Sequence, residues 1–340
     1  MNGKLNKLRN GVLNMNSINK LDYLKKLTDE MKNAIVVEDE NYTTFPIYTN
    51  PTPEQAQEMY TNGRALWNVG GPAMAKTVEV DVKSAETGST VKTRIYYPIV
   101  SEKLPILFYI HGGGFNLGSI DTHDRIMRIL AEQTQSAVIG IDYTLSPEAK
   151  FPQALLECVA SVQFYNQNAK QYDLDFNNIG FAGDSAGASL CMGTMLWLRD
   201  HGEDVSCIRA LLLYYGWYGL SNSASMTLYG NAWDAMRQED LDSYLQIYME
   251  KVEDRENPYF NIYNNDLTKD MPATYIMACE CDPLKDDGRC LHEILKDNGF
   301  ESTYHEEPGV LHAVLIYNKI MEAPNRVLKD GADFFKRHLK

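Results

Sequence analysis

From about residue 77 to the end of the chain, short β-rich runs alternate with segments of helical pattern, and this alternation constrains the fold most strongly. Five of the runs are almost continuously apolar, as expected for parallel strands that helices cover on both faces; they span residues 106–110, 137–141, 179–182, 210–214 and 274–278. A half-exposed antiparallel pair at 78–82 and 91–97 precedes them, and a weaker last strand at 302–305 comes after them. The pattern predicts an α/β fold with a mostly parallel eight-stranded sheet flanked by helices.

Helical candidates lie between the strands, and two regions do not fit the alternation. Helices are predicted over residues 124–134, 153–169, 186–199, 286–298 and 315–338. Residues 1–75 read as helix and loop, and residues 219–263, rich in Tyr, Trp and Phe, are too long for a simple crossover. We expect residues 76–340 to form the sheet domain. Residues 1–75 would be an N-terminal helical segment and about 219–263 an insertion, and the two would combine into a cap.

The 340 residues carry 46 acidic and 32 basic side chains, which give a formal net charge of −14. An acidic chain without a basic patch repels phosphate backbones and anionic head groups, so no nucleic acid and no membrane surface is expected as a partner. No apolar run approaches the roughly 20 residues that span a bilayer, and the polar residues 1–22 do not read as a secretory signal. The six cysteines lack the paired spacing of a zinc site. We therefore expect a cytoplasmic protein with reduced, mostly buried thiols.

A serine lies at the centre of a glycine-flanked pentapeptide, Gly183-Asp184-Ser185-Ala186-Gly187. The motif directly follows a predicted strand and directly precedes a predicted helix, which is the context of a nucleophile elbow. The serine Oγ is exposed in such a sharp turn, and the flanking positions, here Gly183 and Gly187, have no room for large side chains. The alternative is a glycine-rich turn with a helix-capping serine. The strand before and the helix after favour Ser185 as a nucleophile.

A serine hydroxyl needs a general base that removes its proton and an acid that orients this base. In folds with a nucleophile elbow, the three groups occur along the chain in the order serine, acid, histidine. Of the seven histidines, His312 alone lies in a turn after the last predicted strand and before the last predicted helix. His312 is therefore the predicted general base.

The acid is expected after the strand at 274–278. The carboxylates in that stretch are Glu280, Asp282, Asp286 and Asp287. Asp282 precedes a proline, which favours an extended or turn conformation, whereas Asp286 and Asp287 fit the first turn of a helix. Asp282 is predicted to hold His312 in the required tautomer, and Glu280 is the second choice.

A glycine run, His111-Gly112-Gly113-Gly114-Phe115, comes after the strand at 106–110, at the place where this kind of fold supplies an oxyanion hole. Three consecutive glycines let backbone N–H groups converge on a ligand without obstruction by side chains. The N–H of Ala186, at the start of a helix, adds a further donor. Gly112, Gly113, Gly114 and Ala186 are predicted to form the oxyanion hole, with His111 as part of its motif. A phosphate-binding loop is the alternative, but no lysine comes directly after the glycines.

Together these motifs resemble the bacterial acetyl esterases of the hormone-sensitive-lipase-like branch of the α/β-hydrolases. The resemblance is carried by HGGGF at 111–115, DTHDRIMR at 121–128, IGIDYTLSPEA at 139–149, GFAGDSAG at 180–187, DPLKDD at 282–287 and LHA at 311–313. It extends from about residue 65 to the end of the chain, and the first 40 or so residues match poorly. The sequence Cys279-Glu280-Cys281 departs from the small or apolar residues expected before the acid, so Glu280 remains a competitor of Asp282.

The resemblance implies an α/β-hydrolase fold with a helical cap and a short-chain acyl esterase activity. Ser185, Asp282 and His312 would form the triad, and Gly113, Gly114 and Ala186 would supply the oxyanion hole. The expected substrate is a small neutral ester that is hydrolysed through an acyl-enzyme, with no metal or organic cofactor. The acyl length would depend on cap residues such as Trp67, Trp217 and Trp233. The protein is expected to be a monomer or a homodimer.

Other functions stay open or are disfavoured by particular residues. Plant gibberellin receptors resemble this branch and bind a hormone, but they lack the catalytic histidine, whose position His312 fills here. A long-chain lipase is disfavoured because residues 219–263 are too polar for an apolar lid. Amide hydrolysis and sugar deacetylation use the same triad, so the residue types do not reject them. A regulatory protein partner also stays open, because the acidic surface and the poorly matched N-terminal residues could serve one.

Overall fold

The predicted strands form an eight-stranded sheet in the computed structural model, which describes residues 20–101, 103–231 and 233–340. In chain order they are β1 (Lys76–Lys83), β2 (Thr90–Tyr97), β3 (Leu104–Ile110), β4 (Ala137–Asp142), β5 (Leu174–Asp184), β6 (Ile208–Tyr214), β7 (Ala273–Cys279) and β8 (Ser302–Glu307). The order across the sheet is β1-β2-β4-β3-β5-β6-β7-β8. β2 pairs antiparallel with β1 and β4, and the other neighbours are parallel. The predicted fold class is confirmed.

The continuous apolar runs are explained by cover on both faces of the sheet. Along β3, Ile106, Phe108 and Ile110 belong to one apolar core, and Leu107 and Tyr109 belong to the other. Successive side chains of a strand point to opposite faces. A strand with a core on each side therefore needs an apolar residue at nearly every position.

Nine α-helices are described in these residues. They are α1 (Asp29–Asn41), α2 (Pro53–Asn68), α3 (Asp124–Thr134), α4 (Gln153–Asn168), α5 (Ala186–Asp200), α6 (Ala224–Leu228), α7 (Gln238–Tyr248), α8 (Lys285–Asp297) and α9 (Glu322–His338). α3 packs with α9 on one face of the sheet, and α4 packs with α5 on the other. α8 covers β7 and β8. None of the helices in the described ranges is both long and apolar enough to cross a membrane.

The helix predicted over residues 315–338 is wrong at its start. The structure has a short 3-10 turn, Val314–Tyr317, and α9 begins only at Glu322. Pro324 explains the break, because it has no N–H and is tolerated in the first turn of a helix but not in its interior. A helix that began at residue 315 would place this proline in its third turn. The N–H groups of Ile320 and Met321 instead donate to the carbonyl of Tyr317 and close the turn.

The two regions outside the alternation are helical and contact each other. Residues 29–68 contain α1 and α2, and the insertion contains α6, α7 and two 3-10 turns, Val252–Glu256 and Ile262–Asn264. The N–H of Leu21 donates to the carbonyl of Leu228 at 2.9 Å. Residues 1–19 of the predicted N-terminal segment lie outside the described residues.

Candidate active site

Ser185 lies on a strained turn between β5 and α5. Its backbone has φ 53° and ψ −123°, a combination that a residue with a side chain rarely adopts and that is typical of functional sites. The two flanking glycines are required by close contacts. A Cβ on Gly183 would lie 2.7 Å from the carbonyl oxygen of Gly187, and a Cβ on Gly187 would lie 2.0 Å from that of Ile110. The N–H of Ser185 donates to the carbonyl of Tyr214 at 2.9 Å, which fixes the turn to β6.

Three loops, located after β5, β7 and β8, bring the predicted nucleophile, acid and base together. His312 Nε2 lies 2.8 Å from Ser185 Oγ, and His312 Nδ1 lies 2.7 Å from Asp282 Oδ2. The other oxygen of Asp282 accepts the N–H of Leu284 at 2.8 Å. Asp282 is fully buried and His312 is 8% exposed, whereas Ser185 is partly accessible. The geometry is that of a serine whose proton can pass to an imidazole oriented by a carboxylate.

The surroundings of His312 change its pKa in two directions. Burial lowers the pKa because it penalises the imidazolium, but the charge and hydrogen bond of Asp282, with Asp234 and Asp184 nearby, outweigh this effect. The net result is a pKa of His312 above its ordinary value. The imidazolium that forms when the base takes a proton is therefore stabilised by its neighbours.

Backbone N–H groups of the predicted oxyanion hole lie beside Ser185. Gly113, Gly114 and Ala186 line the same cavity as Ser185, and among the described residues their N–H groups have no hydrogen-bond acceptor. Gly113 has φ 125°, and a Cβ there would lie 2.1 Å from the carbonyl oxygen of Leu117. These N–H groups are therefore free to bind a ligand oxygen.

The predicted donor role of Gly112 is wrong. Its N–H donates to Asp184 Oδ1 at 3.0 Å and is not available to an oxyanion. Its missing side chain serves another purpose, because a Cβ would lie 2.6 Å from both the carbonyl oxygen and the Oδ2 of Asp184. Gly112 thus lets the glycine loop approach the nucleophile elbow closely.

Asp184 is a buried anion beneath this loop, a role that the sequence patterns do not predict. Besides the Gly112 N–H, it accepts the hydroxyl of Tyr109 at 2.7 Å, and His123 Nε2 lies 3.5 Å from its Oδ2. Burial would raise the pKa of Asp184, but His123 and these hydrogen bonds outweigh it and lower the pKa to about 2. The carboxylate therefore stays ionised and ties the glycine loop to the elbow. The sequence signals are its place inside the elbow motif and the histidine in the 121–128 segment.

His111 supports the glycine loop as a neutral side chain. Its ring stacks on Tyr143 with 4.4 Å between centroids, and the Tyr143 hydroxyl donates to the His111 carbonyl at 3.0 Å. Its Nδ1 bonds to the carbonyl of Gly112 at 2.9 Å. Burial and the nearby His123 lower the pKa of His111 to about 3. His111 thus braces the loop without carrying a charge at neutral pH.

The other three carboxylates considered for the acid position are bound elsewhere. Glu280 accepts the N–H of Gly309 and pairs with Lys26. Asp286 accepts the N–H of Ser225 at 2.8 Å. Asp282 alone among the four contacts His312, although the sequence pattern leaves Glu280 as a competitor.

Asp287 holds the first residues of the insertion, and the sequence pattern does not distinguish it from a surface carboxylate. It is fully buried, and its Oδ1 accepts the N–H groups of Tyr218, Gly219 and Leu220 at 2.8, 3.1 and 3.1 Å. Burial raises its pKa to about 7, against the lowering effect of these hydrogen bonds. It fixes the chain directly after Trp217, which lines the cavity over Ser185.

A cavity of about 460 Å³ opens onto Ser185 between the two helical regions. The N-terminal helical region, residues 29–68, contributes Glu38, Asp39, Tyr42, Tyr60 and Arg64, and the insertion contributes Trp233, Asp234, Ala235, Met236, Leu241 and Tyr244. Of the three tryptophans expected to set the acyl length, Trp217 and Trp233 line the cavity. Trp67 is buried outside it, edge-on to Tyr317 at 5.1 Å and bonded to Glu38. In the described part of the chain, no three His, Cys, Asp or Glu side chains are grouped to hold a metal.

Comparison with known proteins identifies the family of this chain. Residues 107–316 match the family described as alpha/beta hydrolase fold. The acetyl esterase of Salmonella paratyphi A is 43% identical over 323 residues, which cover 95% of this chain and 98% of that protein. The aligned region therefore includes part of the first 40 residues, whereas the motifs alone indicate that these residues match the family poorly.

Solved structures show the same fold. A hyperthermophilic esterase from Pyrobaculum calidifontis superposes with a TM-score of 0.84 at 26% identity and covers 92% of this chain and 98% of its own. A thermostable esterase from Pseudomonas putida, 21% identical, shares the fold with a TM-score of 0.84 over 93% of this chain and 98% of its own. The resemblance drawn from the motifs is confirmed. The chain belongs to the α/β-hydrolase family, in the group that contains the bacterial acetyl esterases.

Proposed function

We propose that this protein is a serine carboxylesterase that hydrolyses short-chain acyl esters, acetyl esters above all. The observation that carries the proposal is the chain of contacts from Ser185 Oγ through His312 to Asp282. It opens into a cavity lined by backbone N–H groups that have no acceptor among the described residues. The acetyl esterase activity named for the Salmonella relative supports the acyl preference.

Acylation begins when His312 Nε2 accepts the proton of Ser185 and the Oγ attacks the ester carbonyl. The N–H groups of Gly113, Gly114 and Ala186 stabilise the oxyanion of the tetrahedral intermediate, and loss of one such donor costs about 3 to 4 kcal/mol. His312 then returns the proton to the departing alcohol. The acyl group remains on Ser185 as an ester.

Deacylation repeats these steps with water in place of the alcohol. His312 takes a proton from water, the hydroxide attacks the acyl carbonyl, and the protonated imidazole returns the proton to Ser185 as the acid leaves. Asp282 keeps the Nδ1 proton on the imidazole, so that Nε2 faces Ser185 as an acceptor. No step requires a group other than these residues and the backbone donors.

We also propose that residues 1–75 and about 219–263 form a two-part cap over a hydrolase domain of residues 76–340. The cavity walls support this, because both segments line the space above Ser185. Trp233 Nε1 of the insertion donates to Asp39 Oδ1 of α1 at 2.9 Å and joins the two parts. The cap would limit the size of the ester that reaches the serine.

The finer assignments rest on composition. The charge of −14 favours a small neutral ester over an anionic one and disfavours nucleic acid as a partner. All six cysteines are free, which supports a reducing, cytoplasmic compartment. We propose a monomer or a homodimer, with a regulatory protein partner left open.

The pH dependence of the reaction is expected to report His312. Only the neutral imidazole can act as a base, and its pKa is raised above the ordinary value of about 6.5. kcat/KM on an acetyl ester should therefore be constant at alkaline pH and fall tenfold per pH unit below an apparent pKa above 6.5. The measurement is kcat/KM from pH 5 to 9 with an alcohol that does not titrate in that range. A rate that stays flat from pH 5 to 8 would contradict the role of His312.

The acyl preference is tested with acetyl, butyryl and octanoyl esters of one alcohol. We expect kcat/KM to fall by about tenfold or more from acetyl to octanoyl, because a chain that does not fit the cavity loses binding energy per methylene. Tyr244 narrows the space beside the glycine loop, since a Cβ on Gly114 would lie 2.8 Å from its ring. Tyr244→Ala should therefore improve the octanoyl rate relative to the acetyl rate. A preference of the unaltered protein for octanoyl would overturn the short-chain proposal.

A further inference from the structure

The loop that carries His312 is held from both sides at Gly309, three residues before the histidine. The N–H of Gly309 donates to Glu280 Oε2 at 2.9 Å, and its carbonyl accepts the N–H of Thr28 at 2.9 Å. Gly309 has φ 64°, and a Cβ there would lie 2.7 Å from the carbonyl oxygen of Lys26. The backbone is therefore fixed at this point by a side chain after β7 and by the segment before α1.

Glu280 is the side chain that links these parts. Its Oε1 lies 2.6 Å from Lys26 Nζ, while its Oε2 accepts the Gly309 N–H. The hydrogen bond from Lys26, together with that from Gly309, lowers the pKa of Glu280 against a smaller opposing effect of burial. The carboxylate is thus ionised at neutral pH and makes a charge-assisted bond to the loop.

The two segments that Glu280 joins also carry the acid and the base. Beyond the end of β7, the N–H of Glu280 donates to the Glu307 carbonyl at 3.0 Å, and that of Cys281 donates to the Val310 carbonyl at 3.1 Å. Asp282 lies two residues after Glu280, and His312 lies three residues after Gly309. The alignment of the segment after β7 with the segment after β8 therefore determines the relative positions of Asp282 Oδ2 and His312 Nδ1.

We propose that Glu280 is a positioning residue, which holds Gly309 and thereby fixes the contact between His312 and Asp282. The proposal rests on the proposed esterase function. It gives a role to the carboxylate that the sequence pattern leaves as a competitor for the acid position. Glu280 does not touch the reacting atoms; it acts through the backbone of the histidine loop.

Three substitutions separate the contacts of Glu280. Glu280→Met keeps the length of the side chain but removes the acceptor for Gly309, Glu280→Gln keeps an acceptor and removes the charge, and Lys26→Met removes the ion pair alone. A surface ion pair contributes little by itself, whereas misplacement of a catalytic group by about 1 Å can cost about 10²-fold in rate. The effect should therefore depend on the Gly309 bond and not on the Lys26 pair.

The experiment measures kcat and KM on an acetyl ester for the three variants, with amide hydrogen exchange of the peptide that contains Gly309. We expect Glu280→Met to lower kcat by about 10- to 100-fold with KM nearly unchanged and to speed exchange at Gly309. Glu280→Gln should recover most of kcat, and Lys26→Met should match the unaltered protein. If Glu280→Met does not fold, Glu280→Ala replaces it with the same expected results.

Several results would overturn the proposal. They are an unchanged kcat in Glu280→Met, an equal loss of kcat in Lys26→Met, or a loss near 10⁴-fold in Glu280→Gln, which would make Glu280 the catalytic acid. Failure of the esterase function would appear separately, as an unaltered protein that turns over none of the esters. Hydrogen exchange would then still report whether Glu280 holds Gly309.

Discussion

Ser185→Ala is expected to lower kcat on an acetyl ester by about 10⁶-fold, the size of effect seen when a triad nucleophile is removed. The Oγ is the atom that forms the acyl-enzyme, and it lies 2.8 Å from His312 Nε2. The turn at the end of β5 presents the Ser185 Oγ to the cavity, and among the described residues no other hydroxyl group lies in that turn. The residual rate should be that of direct attack by water on the bound ester, with the oxyanion hole still intact. The measurement is a pre-steady-state trace with a chromogenic acetyl ester, in which the burst of released alcohol should disappear.

The matched control is Ser206→Ala, which removes an exposed serine far from the nucleophile in the 3-10 turn Val205–Cys207. Its burst and kcat should equal those of the unaltered protein. The Ser185→Ala protein should keep its fold, because alanine fits wherever serine fits and the N–H bond to Tyr214 does not use the side chain. A burst that survives in Ser185→Ala would remove Ser185 from the mechanism.

The strands could be predicted because each carries its signal locally. The runs 106–110, 137–141, 179–182, 210–214 and 274–278 within β3 to β7 are apolar at nearly every position, and this pattern results from a core on each face. The start of α9 could not be predicted from the same signal. Val314–Tyr317 are all apolar and buried, and α9 also buries an apolar face, so hydrophobicity alone does not mark the break between them. The start of α9 is determined by Pro324, which is tolerated only in the first turn of a helix, and hydrophobic periodicity contains no information about this backbone restriction.

The triad could be predicted from order along the chain, because a nucleophile elbow restricts where the acid and the base can lie. The order of these residues along the chain does not predict the hydrogen-bond partner of each polar group. From the glycine run, the N–H of Gly112 is expected to point at the oxyanion together with those of Gly113 and Gly114. Instead it donates to Asp184, which lies 72 residues away in the sequence. Gly113 and Gly114 have no such partner among the described residues. A glycine run therefore identifies the loop but not which of its N–H groups are free.

Two buried aspartates near the site show why residue type alone does not predict charge. Asp184 and Asp287 both accept backbone N–H groups in the interior. Burial favours the neutral form of both carboxyls. His123 and the hydrogen bonds outweigh burial at Asp184 and lower its pKa to about 2, whereas the amide donors of Asp287 do not outweigh burial and its pKa rises to about 7. The carboxylate under the glycine loop thus stays ionised throughout the working range. The one that anchors the insertion is held by neutral donors and gains a proton near neutrality.

Asp282→Asn is expected to lower kcat by about 10⁴-fold with little change in KM, because the amide keeps the volume of the side chain but loses its charge. Asp282 Oδ2 lies 2.7 Å from His312 Nδ1, and Asp282 is the main group that raises the pKa of His312 against burial. Without it, the imidazolium is less stable and the Nδ1 proton is no longer fixed. The apparent pKa of any residual activity should therefore move down, toward the value that burial alone would set.

The measurement for Asp282→Asn is kcat, KM and the pH profile on the same acetyl ester used for Ser185→Ala. Asp286→Asn is the matched control, because this neighbouring carboxylate bonds to Ser225 and not to His312. It should leave kcat and the pH profile nearly unchanged. If Asp282→Asn kept more than about a tenth of kcat, or if its pH profile did not move, the carboxylate that orients His312 would have to be sought elsewhere. Glu280→Gln would then show the larger loss, which the present geometry does not lead us to expect.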